Sequence, residues 1–338
     1  MRFTRRSLGK ALTATAVLAG SNSALAATGH TQGHLHIPRY GPAICSDGTQ
    51  AILSGGAPVG AARTEDHFYS SLLGIIETID PASLDQNFVA NAIFVRANHA
   101  SVWANGQIWL LGGRTRDGTD GRLVSETERI DPKTQAIWRG PDLPTPLIHL
   151  SAVTFGQSIF AFGGVFRDPE TRRSIASSQI YECAPPYDRW ISRTPMPLAL
   201  GNAAAVTIGN RIFLIGGYDQ EKAHAIVQIY DPVRDLWSLG NPPPMPLSAH
   251  AATGSGSRIF VFGDYANQSS VLGFDTLDKK WRTLDAPFTP RRHVRATTVS
   301  KRIVVAGGNQ SSVAPATHAV ESFSVDLLNT QFDQAQSR

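Results

Sequence analysis

Ile212-Phe213-Leu214-Ile215-Gly216-Gly217 is an apolar run that stops on two glycines, and the chain repeats it. Ala51-Ile52-Leu53-Ser54-Gly55-Gly56, Ile108-Trp109-Leu110-Leu111-Gly112-Gly113, Ile159-Phe160-Ala161-Phe162-Gly163-Gly164 and Ile303-Val304-Val305-Ala306-Gly307-Gly308 carry the same phrase. Ile259-Phe260-Val261-Phe262-Gly263-Asp264 keeps only the first glycine. Six copies about 50 residues apart are the signature of a repeat array, in which each unit buries its faces against its neighbours. An apolar run of this length bounded by a turn signal reads as a buried strand, and the glycines let the chain leave it through positive φ.

Working outward, each copy is preceded by another apolar strand and followed by a loop of variable length. A third strand then ends at a turn: Glu77-Thr78-Ile79-Asp80-Pro81, Glu128-Arg129-Ile130-Asp131-Pro132, Gln228-Ile229-Tyr230-Asp231-Pro232 and, less fully, Leu272-Gly273-Phe274-Asp275. Asp-Pro suits a turn because Asp bonds back to the chain and Pro cannot continue a ladder. Six to eight residues later stand Trp138, Trp190, Trp237 and Trp281, with Phe88 and Phe332 at the corresponding places in the first and last repeats.

Glycine pair, Tyr-Asp-type turn and spaced tryptophan, in that order, resemble the Kelch repeat, and the likeness runs from Arg39 to Phe332. The resemblance implies an all-β fold, a six-bladed Kelch-type β-propeller with four antiparallel strands per blade. The spacings independently predict strands, because four short runs and their turns fill each repeat without a helix-length segment. The predicted organisation is a leader at residues 1–26, a lead-in at 27–38, the propeller at 39–333 and a tail at 334–338. The tryptophans are expected in the wedges between blades. Ring closure has two candidate solutions: Phe332 suggests that the C-terminus completes its own blade, whereas Gly33 to Ile37 would supply an outer strand from the other end.

Thr4-Arg5-Arg6-Ser7-Leu8-Gly9-Lys10, a modestly apolar stretch and Ala24-Leu25-Ala26 resemble a twin-arginine export signal, with a Sec leader as the plainer alternative. Periplasmic or secreted localisation is therefore expected. The formal charge of +4 owes its surplus to Arg2, Arg5, Arg6 and Lys10, so the mature chain is near neutral, which argues against nucleic acid as a partner. No later segment has the length and apolarity of a membrane span. Cys45 and Cys183 fall on different strands of different repeats and are expected as free, buried thiols.

Aligned on the glycine pairs, the approaches to the first strands place Arg39, Tyr40, His99, His149, Asn202, His250 and His293 around the mouth of the central channel. Such residues serve as satisfied turn residues or as a ligand-binding ring. A metal needs ligands converging near 2 Å, and residues on opposite blades are too far apart for that, so no metal or cofactor is expected. Just inside, five repeats place small residues (Ala43, Ala100, Ser151, Ala204, Ala251), and the sixth places Arg295. That arginine reads either as half of a structural salt bridge or as a contact for an anion or sugar.

The function expected from this pattern is an exported, monomeric binding module that takes a carbohydrate or protein partner on the loop face. The alternative is a sugar-active enzyme of the sialic-acid mutarotase type, known among Kelch relatives, using Arg295 and a loop carboxylate such as Glu65, Asp66, Glu170 or Glu221. A redox cofactor is a third possibility, raised by the export route alone. The copper-oxidase chemistry of other propellers does not suit Tyr181 and Cys183, which lie on a third strand away from the mouth.

Overall fold

The computed structural model describes residues 29–59, 65–117, 120–311 and 314–335. The leader expected at 1–26 and the side chains of Glu65 and Asp66 lie outside the described residues. The chain forms six four-stranded antiparallel sheets among the described residues. Blade I comprises Ala43–Ser46, Ala51–Ser54, Ile75–Ile79 and Gln86–Asn91. Blade II comprises Ala100–Ala104, Gln107–Leu111, Glu128–Ile130 and Ile137–Arg139. Blade III comprises Ser151–Phe155, Ser158–Phe162, Ile180–Cys183 and Ile191–Arg193. Blade IV comprises Ala204–Ile208, Arg211–Ile215, Val227–Asp231 and Leu236–Leu239. Blade V comprises Ala251–Ser255, Arg258–Phe262, Val271–Asp275 and Lys280–Thr283. Blade VI takes Arg295–Val299, Arg302–Ala306 and Ala319–Ser324 from the C-terminal end. The first strands of successive blades touch, and those of blades VI and I meet to close the ring.

The hydrophobic residues divide into one core per blade junction. Between blades IV and V, for example, Val206, Phe213 and Ile215 pack with Ile259, Val261 and Phe274. A propeller has no single centre to fill, so each wedge between diverging sheets is filled separately. The glycine pairs stitch neighbouring blades together. Gly56, Gly113, Gly164, Gly217 and Gly308 each donate their N–H to a backbone carbonyl just before the next blade, those of Arg96, Leu147, Leu200, Leu247 and Arg39, at 2.7–3.0 Å. At Gly55 a Cβ would lie 2.4 Å from the Arg96 carbonyl oxygen, and φ is +57°, so both backbone angle and space demand glycine there.

The tryptophans add a second stitch at the outer rim. The indoles of Trp190, Trp237 and Trp281 donate Nε1–H to Pro141, Thr194 and Asn241 carbonyls of the preceding blade at 2.8, 2.9 and 2.9 Å. Trp237 also packs edge-on to Phe162 of that blade. Trp237→Phe keeps the ring and loses the donor. It is expected to cost about 1 kcal/mol, read as a lower urea midpoint at unchanged slope; an unshifted midpoint would show the bond to be idle.

Two features depart from the sequence expectation. The fourth strand of blade VI is His30–His34, paired antiparallel with Ala319–Ser324 from His30 opposite Phe323 to His34 opposite Ala319. The propeller therefore begins inside the predicted lead-in, and closure comes from the N-terminal side, three residues earlier than the Gly33–Ile37 segment expected there. Phe332 lies not on a strand but on a helix, Val325–Gln334, capped by Ser324, whose hydroxyl accepts the Leu327 N–H at 3.1 Å. This helix does the work of the tryptophan that blade VI lacks. The Phe332 ring lies between the guanidinium groups of Arg258 and Arg282, 4.3 and 4.1 Å from its centroid. It fills the space over Gly273, where a Cβ would lie 2.5 Å away. Gln331 Nε2 donates to the Asp285 carbonyl at 2.5 Å, at the register that Asn241 occupies toward Trp281. No helix among the described residues is long and apolar enough to cross a membrane.

Candidate functional site

In an antiparallel blade the loop after the second strand and the approach to the first share one face, and here those loops differ greatly in height. After Gly56 the chain runs into a short helix, Glu65–Ser70, with Phe68 buried against Tyr40. In blade II the loop is a hairpin of Arg114–Asp117 and Asp120–Leu123, and in blade III one of Val165–Arg167 and Ser174–Ala176. The Tyr69 ring occupies the space a side chain at Gly121 would need, so the first two loops lock into one wall. Blade V has a short turn instead. Asp264 replaces the second glycine, and its carboxylate accepts the N–H groups of Ser248, Ala266 and Asn267 at 2.8, 2.9 and 3.1 Å.

Below this wall a collar of left-handed residues circles the mouth: Gly41, Asn98, His149, Asn202, Ala249 and His293, all with φ between +54° and +59°. Each is two residues before a first strand. The N–H groups of Asn98, His149 and Asn202 donate to the carbonyls of Gly41, Asn98 and His149 at 2.7, 2.9 and 2.9 Å, and His293 donates to Ala249 at 2.7 Å. The predicted mouth residues therefore fall into two registers. His149, Asn202 and His293 are collar residues. His99 and His250, one position later, lie over the first glycine of the preceding blade as Leu150 does. They are imidazoles in core positions, with only an edge on the channel.

Arg39 is not at the mouth. It is fully buried, donates Nη1–H to the Gly55 and Ile75 carbonyls at 2.9 and 3.1 Å and pairs with Glu77. Arg96 with Glu128 and Arg291 with Glu321 repeat that buried pair in blades II and VI. Tyr40 is buried edge-on to His293, centroids 4.9 Å apart. Arg295 is not half of a salt bridge. It lines the channel, with Nη1 donating to the Val294 carbonyl at 3.0 Å, and forms no ion pair among the described residues. Arg114 and Arg292 went unrecognised in the sequence as rim cations. Each sits over a ring, Phe68 at 5.5 Å and Tyr265 at 3.9 Å, and their charges act on both Tyr40 and His293. The signal available was position: Arg114 directly follows a glycine pair, and Arg292 stands at the register of Tyr40.

The imidazoles are held neutral. Burial pulls His250 down to about 4 and His293 to about 3, with Arg295 adding to both and Asp264 and Asn309 opposing. Burial first, then nearby arginines, holds His99 and His149 well below the ordinary value. His99 Nε2 lies 2.9 Å from Ser54 Oγ, and His293 Nδ1 lies 3.2 Å from Asn309 Oδ1. A histidine whose folded pKa is depressed favours unfolding between its unfolded pKa, near 6.5, and the folded one, because only the unfolded chain takes up the proton there. Stability is therefore expected to fall as pH drops from 6.5 toward 4. His250→Gln is expected to flatten that slope by up to about 1.4 kcal/mol per pH unit, measured by urea unfolding at stepped pH; identical slopes would contradict it.

No group of three or more His, Cys, Asp or Glu among the described residues is placed to hold a metal ion. Cys45 and Cys183 are free and buried, and burial pushes their thiols up to about 12 and about 11, which leaves them inert. Tyr181 is buried on a third strand and meets Thr145 Oγ1 at 3.1 Å.

Comparison with known proteins agrees with this architecture. Residues 98–308 match the KLHDC2/KLHL20/DRC7 Kelch-repeats domain. The chain is 24% identical over 293 residues to beta-scruin of Limulus polyphemus, covering 83% of this chain and 26% of that one. It is 27% identical over 130 residues to Kelch-like protein 15 of Gallus gallus, covering 38% and 25% of the two chains. Kelch-like protein terF of Aspergillus terreus is 26% identical over 268 residues, 74% of this chain and 58% of that one. The chain thus spans about a quarter of the length of the first two relatives. Among solved structures, one titled "Structure of YjhT" superposes with a TM-score of 0.70 at 13% identity, covering 85% of this chain and 95% of that one. With the match spanning more than half its length, the chain belongs to the Kelch-repeat family.

Proposed function

We propose that this propeller is an exported protein-binding module whose partner docks on the loop face, in the notch between the tall loops of blades I–III and the low turn of blade V. The supporting observation is the asymmetry itself. The loops of blades I and II lock together through Tyr69 on Gly121, so the wall is a built surface on a regular scaffold, where binding residues concentrate. The tip of the blade III hairpin carries Arg172 and Arg173, both exposed, and Tyr265 stands exposed on the opposite, low side. Membership of a repeat family that acts mainly through protein contacts supports a protein partner. Export rests on the leader and is tested by whether an Arg5→Lys/Arg6→Lys chain stays in the cytoplasm.

The sugar-active alternative needs a carboxylate beside Arg295, and among the described residues none lines the channel cavity. Affinity capture separates the readings. A chain with Val165–Ala176 replaced by a two-residue turn is expected to lose its captured protein at least tenfold, while Val233→Ser/Leu277→Ser on the opposite face keeps it. Capture indifferent to the hairpin would overturn the loop-face reading, and capture abolished by glycosidase but not protease would replace the protein partner with a glycan.

A further inference from the structure

The throat of the channel holds a positive charge that nothing on the protein answers. Arg295 occupies a register where the other blades have alanine or serine, and it lines a cavity of about 100 Å³ together with His99, Ser101, His149, Asn202 and His250. No carboxylate lines that cavity among the described residues. Arg295 is half-buried, and withdrawing a guanidinium from water without a counter-charge is costly.

Two of the imidazoles that line the cavity keep a buried ring nitrogen without a hydrogen-bond partner, Nδ1 of His99 and Nδ1 of His149, whereas the Ser101 hydroxyl bonds the Cys45 thiol and the His250 ring meets the Ile215 backbone. His99 is 1% exposed, so its ring is screened from bulk water. Each buried group left unsatisfied costs on the order of 1–3 kcal/mol, and native proteins tolerate few of them. Water in the cavity would solvate the guanidinium, but it would leave Arg295 unneutralised. The surrounding imidazoles are neutral, so the throat's own charge is a single positive one, with Arg114 and Arg292 adding field from the rim.

We propose that the throat binds one carboxylate, held by the Arg295 fork, which deepens and rests on the reading of this face as the binding face. A carboxylate fits better than a phosphate because a planar monoanion matches one guanidinium in shape and charge. The cavity has room for several waters, the scale of a carboxylate and a short stem. The carboxylate comes either from a free small acid or from an acidic side chain of a protein partner.

Saturation-transfer NMR titrations at constant ionic strength, with acetate, neutral acetamide and the capped tripeptide acetyl-Gly-Glu-Gly-amide as probes, test this. Wild type is expected to bind acetate and not acetamide. Arg295→Gln is expected to weaken acetate at least tenfold at an unchanged NMR fingerprint, and Arg295→Lys, with the charge but not the fork, to fall between. Should Arg295→Gln misfold, the acetate–acetamide contrast in wild type carries the test alone. Tighter binding of acetate assigns the throat to a free acid, and tighter binding of the peptide assigns it to a partner's side chain. Equal response to acetate and acetamide, or full acetate affinity in Arg295→Gln, would overturn the proposal. The hairpin-shortened chain leaves Arg295 in place and is expected to bind acetate normally, so failure of the carboxylate site and failure of the loop-face reading are separate results.

Discussion

A chain that starts at Leu35 is expected to lose at least about 5 kcal/mol of stability, a large part of what holds a domain folded, whereas one that starts at Gly29 stays within about 1 kcal/mol of the full chain. Between those two starts lies the fourth strand of blade VI. His30–His34 pairs with Ala319–Ser324 along its whole length. Its side chains hold it as well. The His30 ring stacks on Phe323 with centroids 4.7 Å apart, Gln32 Nε2 donates to Thr289 Oγ1 at 2.9 Å, and Thr31 Oγ1 accepts from Arg302 at 3.1 Å. Each ladder bond is worth about 1 kcal/mol net. Losing the strand also opens a ring whose two ends are tied in this blade alone, and it strips cover from the buried Arg291–Glu321 pair. Chemical unfolding of the two truncations decides the matter, and equal stabilities would show that the closure is idle.

Arg96→Leu is expected to cost about 3–5 kcal/mol, because it leaves Glu128 buried and unpaired. The more telling outcome is the rescue. The six blades use two solutions at this junction. Blades I, II and VI pair Arg39 with Glu77, Arg96 with Glu128 and Arg291 with Glu321. Blades III, IV and V place Leu147 with Tyr181, Leu200 with Gln228 and Leu247 with Leu272 at the same registers. In blade IV the Gln228 side-chain carbonyl accepts the Leu198 N–H at 2.8 Å, as the Glu128 carboxylate accepts the Phe94 N–H at 2.8 Å. Glu128→Gln in the Arg96→Leu background therefore keeps that acceptor while removing the orphaned charge. The double variant is expected to return to within about 1–2 kcal/mol of wild type. Urea unfolding of both singles and the double closes the cycle, and strictly additive losses would contradict the account.

The same pairing shows what the sequence made legible and what it hid. The first glycine of the phrase located all six blades because the demand for glycine is steric and local. Gly55 cannot carry a side chain beside the Arg96 carbonyl. The Arg–Glu pairs were equally present in the repeat, yet Arg39 read alone looked like a mouth residue; only its recurrence with a third-strand glutamate, opposite the residue two before the first glycine, marks it as structural. Closure was harder to read, because His30-Thr31-Gln32-Gly33-His34 lacks the apolar alternation of a strand and borrows its cover from Phe323. Phe332 sits in the wedge expected of an aromatic, but a capped helix delivers it there and Gln331 supplies the donor that an indole supplies elsewhere. The histidines mixed two registers one residue apart, a distinction carried by the left-handed collar and invisible in composition.

The binding face is tested most directly by placing a photo-crosslinking amino acid at Ile175, on the blade III hairpin, and separately at Leu277, on the opposite face, in the living host. Ile175 is 39% exposed and Leu277 80% exposed, so exposure alone favours the second position. The account expects a discrete crosslinked protein adduct from Ile175 and none from Leu277. An adduct from Leu277 with none from Ile175 would contradict it.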